Sequence, residues 1–216
     1  MVYLEFHQAR IAGHTLSFRV ESGRHVLLSE LDYDGVSAMI DAALGIAKVA
    51  GDAITLLGER LIDCSPSKLR GLRSRVGVIS ESRGLISNLK VWENVHLPLE
   101  YHAGPEQDLH ATVTSALQMA GFTGDPYAAP DTLSSLDRKQ VLMARAFVNQ
   151  PPLLIIDNLF EGHSNIEKHR LLESLDRYFK QWGRAAGFFL SADVDKLLHF
   201  EKMCTVSINH EGEYVL

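Results

Sequence analysis

One acidic residue stands where a ligand would meet a parallel β-sheet. The apolar run 153–156 has the length and composition of a fully buried strand, and Asp157 follows it directly. Open α/β sheets bind ligands beyond the carboxyl ends of their strands, so this carboxylate is placed to hold a metal ion or a polar ligand. The alternative is structural, because an aspartate at that position can also cap a neighbouring turn.

Short apolar runs alternate with longer amphipathic segments along the chain, which is typical of an α/β fold. Residues 109–120 and 166–179 each carry an apolar face at helical spacing. The segment 88–140 is mostly helical between two buried strands, which predicts an inserted helical lobe on a core formed by 1–87 and 141–216. The strand-like runs are 3–6, 15–20, 25–29, 54–57, 76–79, 153–156, 187–190 and 204–208, the last of which is expected to form a hairpin with 214–216.

Composition excludes several classes of protein. A chain of 216 residues fits one sizeable domain, and its net charge of -6 argues against nucleic acid as the main partner. No run approaches the roughly 18 apolar residues of a membrane span, and the first six residues lack the features of a signal peptide, so we expect a cytoplasmic protein. The ten histidines form no HExxH motif, and Cys64 and Cys204 have no paired spacing, so we expect free thiols and no zinc-type site.

Four stretches resemble the ABC ATPase family, and together they cover nearly the whole chain. Residues 133–146 (LSSLDRKQVLMARA) resemble the ABC signature and its helix, usually LSGGQxQRVxxARA, and 151–157 (PPLLIID) resembles the Walker B strand. Residues 76–81 (VGVISE) and 91–99 (VWENVHLPL) resemble the Q-loop strand and the helix after it. The resemblance is closest to Mla-type phospholipid-trafficking ATPases. It implies an α/β, P-loop NTPase-like (RecA-like) core with an antiparallel β subdomain and the inserted helical lobe.

The resemblance assigns the phosphate-binding loop to residues 30–37 (ELDYDGVS), where the family has GxxxxGK[ST]. Gly35 and Ser37 match that motif, whereas Glu30 and Val36 replace its first glycine and its lysine. Losing the lysine forfeits charge-assisted hydrogen bonds worth about 1.5–3 kcal/mol. The candidate nucleotide-binding residues of this loop are Gly35, Val36, Ser37 and Ala38.

Two aspartates change the charge of the same loop. A carboxylate of Asp32 or Asp34 within about 6 Å of a phosphate charge would add roughly 2–3 kcal/mol of repulsion. Ser37 and Asp157 are the predicted residual Mg²⁺ ligands if nucleotide binds, although Ser37 can equally serve a helix turn.

Other positions also depart from the family pattern. Glu81 stands at the Q-loop glutamine, Asn158 at the catalytic glutamate, Ala192 at the switch histidine and Ser164 at the D-loop aspartate. An amide cannot accept a proton as a general base. The signature is altered too, at Ser134, Ser135, Leu136 and Asp137. We therefore predict a chain without catalytic residues that is not an enzyme and has no cofactor, apart from weak MgATP.

The predicted function is that of a non-hydrolysing structural or regulatory partner of a membrane permease, possibly in lipid trafficking. The permease would dock in a groove near Gly84, Leu85, Leu89 and Trp92, although plain core packing explains these residues as well. We expect a homodimer or a heterodimer with another ABC ATPase, on the inner face of the cytoplasmic membrane. The alternatives are an active or weakly active ATP-binding subunit with unusual site residues, and a soluble scaffold without a membrane partner.

Overall fold

A parallel β-sheet lies at the centre of the protein. The computed structural model describes residues 1–29, 32–47, 49, 54–100, 108–191, 200, 202–208 and 213–215. Within these ranges the sheet has the strand order β6-β7-β8-β3-β9, and every neighbouring pair is parallel. Its strands are β3 (His25–Leu28), β6 (Val76–Ile79), β7 (Leu153–Asp157), β8 (Ala186–Leu190) and β9 (Met203–Thr205).

A second sheet is largely antiparallel and has the order β10-β11-β2-β1-β4-β5. The predicted run 204–208 is divided between the two sheets, because β9 pairs with β3 while β10 pairs antiparallel with β11. Residue 216 of the expected hairpin lies outside the described ranges. The strands are β1 (Val2–Ile11), β2 (His14–Glu21), β4 (Ile54–Leu56), β5 (Glu59–Arg60), β10 (Ser207–Ile208) and β11 (Glu213–Val215).

Six helices are present in the described ranges, and both helices expected from apolar spacing are among them. They are α1 (Tyr33–Ala43), α2 (Pro66–Arg73), α3 (Val91–Glu100), α4 (Leu109–Met119), α5 (Ser135–Phe147) and α6 (Asn165–Gln181). Helix α5 packs against α3 and α4 and also against β6, so it runs from the predicted lobe into the core. The division at 88–140 stays a prediction. None of these helices is long and apolar enough to span a bilayer.

Alternating side chains of the parallel sheet enter two separate apolar clusters. In β7, Leu154 and Ile156 join the cluster formed with helices α3 to α6, whereas Leu153 and Ile155 join the cluster that contains α1 and the antiparallel sheet. Successive strand residues point to opposite faces. Coverage of both faces therefore explains why these strands are continuous apolar runs.

Close packing makes one glycine of β6 irreplaceable. A Cβ atom on Gly77 would lie 2.7 Å from the carbonyl oxygen of Ala146 and 2.6 Å from a methyl carbon of Leu154. We expect Gly77→Ala to lower the free energy of unfolding by about 1–3 kcal/mol, because a backbone carbonyl cannot move aside as a flexible side chain does. Urea unfolding midpoints measure the change.

Gly71 in α2 provides the matched control, because a Cβ atom there meets nothing within 4 Å. The same substitution at Gly71 should raise stability by about 0.5–1 kcal/mol through helix propensity. Equal effects of the two substitutions would contradict the packing assigned to β6.

Candidate functional site

Two parallel strands bring polar residues together at the carboxyl edge of the sheet. The register pairs Ile79 of β6 with Ile156 of β7, and its continuation places Ser80 level with Asp157. The Ser80 hydroxyl donates to Oδ2 of Asp157 at 2.6 Å, and both residues are buried. The sequence-based placement of Asp157 at the end of a buried strand is confirmed.

The surroundings of Asp157 act on its charge in opposite directions. Burial raises the pKa of its carboxyl group, because removal from water disfavours the charged form. The hydrogen bond from Ser80 and the positive charges of Lys139 and Arg83 lower the same pKa. The two cations thus favour the carboxylate form that binds a metal ion.

A buried lysine connects the ends of β6 and β7. The Lys139 ammonium lies 2.9 Å from Oε2 of Glu81 and donates to the Asn158 carbonyl oxygen at 3.2 Å. The Lys139 side chain is 5% exposed, whereas that of Glu81 is 77% exposed. Asn158 has a φ of 42°, a left-handed conformation that few side chains other than Asn and Asp adopt readily. Helix α5 therefore fixes the turn after β7 through a charged hydrogen bond.

The segment after β6 is attached to two helices. Arg83 forms an ion pair with Asp41 of α1. The guanidinium of Arg145 in α5 donates to the carbonyl oxygens of Gly84 and Arg83, both at 2.9 Å. Burial lowers the pKa of Arg145. These contacts place the segment beside both α1 and α5.

Asn94 of α3 fixes the next part of that segment. Its side chain is fully buried, accepts from the Ile86 amide at 2.8 Å and donates to the carbonyl oxygens of Ile86, Leu89 and Lys90. Each backbone group it satisfies would otherwise lack a partner on this turn. We call residues 84–89 the docking loop.

The predicted groove residues lie in and beside the docking loop. Leu85 and Trp92 are half-buried and pack against the cluster of helices α3 to α6, as the packing alternative required. Gly84 and Leu89 are also half-buried, and Ile86 is 39% exposed. The buried Nε1 of Trp92 has no hydrogen-bond partner within the described structure. The loop thus presents part of its apolar surface to solvent.

The amino end of α1 carries the candidate phosphate loop. Asp32 is the N-cap residue, and its Oδ1 accepts from the Gly35 amide at 2.7 Å. Val36 is buried, while Ser37 and Ala38 are half-buried in the first turns of the helix. A carboxylate therefore already binds an amide that an anionic ligand would use. Glu30 and Leu31 lie outside the described residues.

The candidate signature residues lie at the amino end of α5. Ser134 is the N-cap and accepts from the Asp137 amide at 3.1 Å. The same hydroxyl donates to the Asp137 carboxylate at 2.6 Å. Ser135 is exposed and Leu136 is buried. These contacts complete the helix end, and Ala192 lies outside the described ranges.

Comparisons with known proteins give the chain its family. The family model described as "ABC transporter" matches residues 14–161. The chain belongs to the ABC transporter family. The same fold occurs in the dimeric bacterial ABC transporter cassette MJ0796, with a TM-score of 0.80 and 18% identity over 95% of this chain and 94% of that one.

Curated ABC relatives match over most of this chain. The molybdate/tungstate import ATP-binding protein WtpC of Thermococcus kodakarensis is 27% identical over 184 residues, 85% of this chain and 53% of WtpC. The chain thus spans about half the length of WtpC. The cell division ATP-binding protein FtsE of Escherichia coli K12 is 26% identical over 198 residues, 90% of this chain and 87% of FtsE. Both the ABC resemblance and the P-loop NTPase-like fold class are confirmed.

The prediction that this chain is not an enzyme is wrong. The family model spans the candidate phosphate loop and Asp157, and the relatives are named as ATP-binding proteins. A second structure of MJ0796, with a TM-score of 0.82 and 18% identity over 99% of this chain and 96% of that one, is a post-hydrolysis state bound to ADP and Pi. Substitutions at motif positions were therefore insufficient grounds for excluding catalysis. The Mla-type resemblance and the assigned site residues stay predictions.

The ABC fold implies MgATP, and the residues here fit its metal better than its phosphates. Asp157 offers an oxygen ligand at the sheet edge, and Ser37 offers a hydroxyl in the first turn of α1. The amino end of α1 fits a phosphate once the Asp32 carboxylate leaves the Gly35 amide. Nucleotide binding thus requires a local rearrangement of Asp32.

Several residues that shape this site were missed in the sequence. Lys139, Arg145 and Asn94 act through contacts with segments distant in the sequence, so local patterns carry no signal for them. Asp32 could have been found, because an aspartate preceding an amphipathic helix is a common N-cap.

Proposed function

We propose that this chain is the ATP-binding subunit of a membrane transport complex, and that it binds and hydrolyses MgATP. The observation that supports the proposal is the convergence of α1, β6 and β7 at one edge of the parallel sheet. The Arg83–Asp41 ion pair connects the first two elements, and the Ser80–Asp157 hydrogen bond connects the last two. This edge is where open α/β sheets bind ligands.

Ser37 and Asp157 would hold Mg²⁺, which would offset negative charge on the phosphates. The amino end of α1 would receive a phosphate. Val36 supplies no charge, and Asp32 competes for the Gly35 amide. We therefore propose weak binding, with a dissociation constant roughly tenfold to a hundredfold above that of a site with the lysine.

The membrane partner is proposed to be an integral permease that contacts the docking loop. Arg145 and Asn94 fix the backbone of this loop from two helices, so its apolar side chains are held in place before binding. Pre-organisation of this kind lowers the entropic cost of association. The complex would lie on the inner face of the cytoplasmic membrane, and the Mla-type resemblance favours phospholipid as its cargo.

Substitution of one loop residue tests the permease contact. We expect Ile86→Glu to abolish most co-purification with the membrane partner, because a charge would enter an apolar contact at its exposed side. The chain is expressed with an affinity tag in its own cell, and mild-detergent extracts are analysed for the co-purifying permease and lipid.

Ile166→Glu is the matched control, because Ile166 is 70% exposed in α6, outside the docking loop. It should leave co-purification unchanged. Retention of the permease by both variants would contradict the assigned docking surface.

A further inference from the structure

An amide and a carboxylate face each other across the ends of β6 and β7. Continuing the register that pairs Ile79 with Ile156 places Glu81 level with Asn158. The neighbouring residues on each strand are already joined, since Ser80 donates to Asp157 at 2.6 Å. Glu81 and Asn158 therefore flank the candidate metal ligand from adjacent strands.

Three carboxylates are near this edge, and they differ in what they can do. Asp157 is buried and bonded to Ser80, which suits a metal ligand. Glu161 is exposed in the turn after β7, and its charge acts on Asp157. Glu81 is also exposed, but its carboxylate is held by Lys139. Glu81 thus combines access to water with a defined orientation.

Lys139 is suited to position both facing residues. Its ammonium contacts the Glu81 carboxylate at 2.9 Å and the Asn158 carbonyl oxygen at 3.2 Å. Because the lysine side chain is 5% exposed, little water competes for these contacts. One buried cation therefore fixes the carboxylate and the amide relative to each other.

We propose that Glu81 is the catalytic carboxylate of this site and that the Asn158 amide orients the attacking water. The inference rests on the proposed ATPase function. Glu81 accepts a proton from the water while its oxygen forms a bond to the terminal phosphorus. The bond from that phosphorus to the bridging oxygen breaks, and ADP leaves with the electron pair. Glu81 then releases its proton to solvent. Lys139 is a positioning residue in this step.

The test compares Glu81→Gln with the wild-type chain in its transport complex. Steady-state ATP turnover should fall about a hundredfold or more, because general-base catalysis contributes roughly 10²–10⁴. The MgATP dissociation constant, measured by calorimetry, should change less than about threefold, since the amide keeps the shape of the side chain. Glu161→Gln is the matched control and should retain turnover.

Two further variants separate catalysis from structure. Glu81→Gln with Asn158→Glu moves the carboxylate to the opposite strand and should recover at least tenfold of the lost turnover, if the two positions share one water. Lys139→Gln introduces the residue that the signature motif places there, so the chain should fold. It should lower kcat about tenfold with little change in KM, and Lys139→Arg should restore part of that loss.

The outcomes are distinguishable. Unchanged turnover of Glu81→Gln, or an equal loss in Glu161→Gln, would overturn the assignment and leave the proposed function intact. A wild-type complex that binds its permease but shows no ATP turnover would contradict the proposed function and this inference together.

Discussion

Asp32→Ser is expected to tighten MgATP binding by about tenfold to a hundredfold. In the structure the Asp32 carboxylate accepts from the Gly35 amide at 2.7 Å, at the end of α1 where the helix dipole favours an anion. A phosphate about 6 Å from that carboxylate would meet roughly 2–3 kcal/mol of repulsion per charge pair. Serine keeps the N-cap hydrogen bond without the charge. Calorimetric titration with MgATP measures the change.

The same substitution at another helix provides the control. Asp108 caps α4, which like α1 has 11 residues, and its side chain accepts from the Ala111 amide at 3.0 Å. Asp108→Ser should leave MgATP affinity unchanged. If Asp32→Ser bound MgATP no better than the wild type, the Asp32 carboxylate would not be a competitor for the phosphate position.

The stability of the fold should fall in acid because of His25. Burial, assisted by the charge of Lys202, lowers the pKa of His25 from 6.5 to about 4. The unfolded chain therefore binds a proton at a higher pH than the folded chain does. This contribution to stability is complete above pH 6.5 and is lost as the pH falls toward 4. The full difference is about 3 kcal/mol.

His25→Gln should remove this pH dependence. Nδ1 of His25 accepts from the Gly187 amide at 3.1 Å, and the glutamine side-chain oxygen can also accept that bond. Denaturant unfolding is measured at several pH values from 7 to 4 for both chains. The control is His169→Gln, whose side chain is 73% exposed in α6. A wild-type slope in His25→Gln would show that another group causes the acid sensitivity.

The fold was predictable because its signals are local. The run 76–79 was predicted as a buried strand, and the structure shows β6 with the same bounds. Both faces of the parallel sheet are covered, so the apolar pattern was unambiguous. The split of 204–208 was not predictable, since pairing with β3 and with β11 depends on segments far apart in the chain.

The site was predicted less completely than the fold. Asp157 was placed correctly, because a strand and its last residue are read from one short segment. Lys139 was overlooked, because its contacts with Glu81 and Asn158 join three separate elements. The motif comparison treated Glu81 and Asn158 as two independent losses, whereas the structure places them opposite each other.

ATP turnover by the purified wild-type complex tests the account most directly. The assay uses millimolar ATP with and without Mg²⁺ and several protein concentrations, so that subunit association does not limit the rate. Our account predicts Mg²⁺-dependent turnover that saturates with ATP, accompanied by thermal stabilisation that grows with MgATP concentration. Turnover and stabilisation that both stay at background would contradict it.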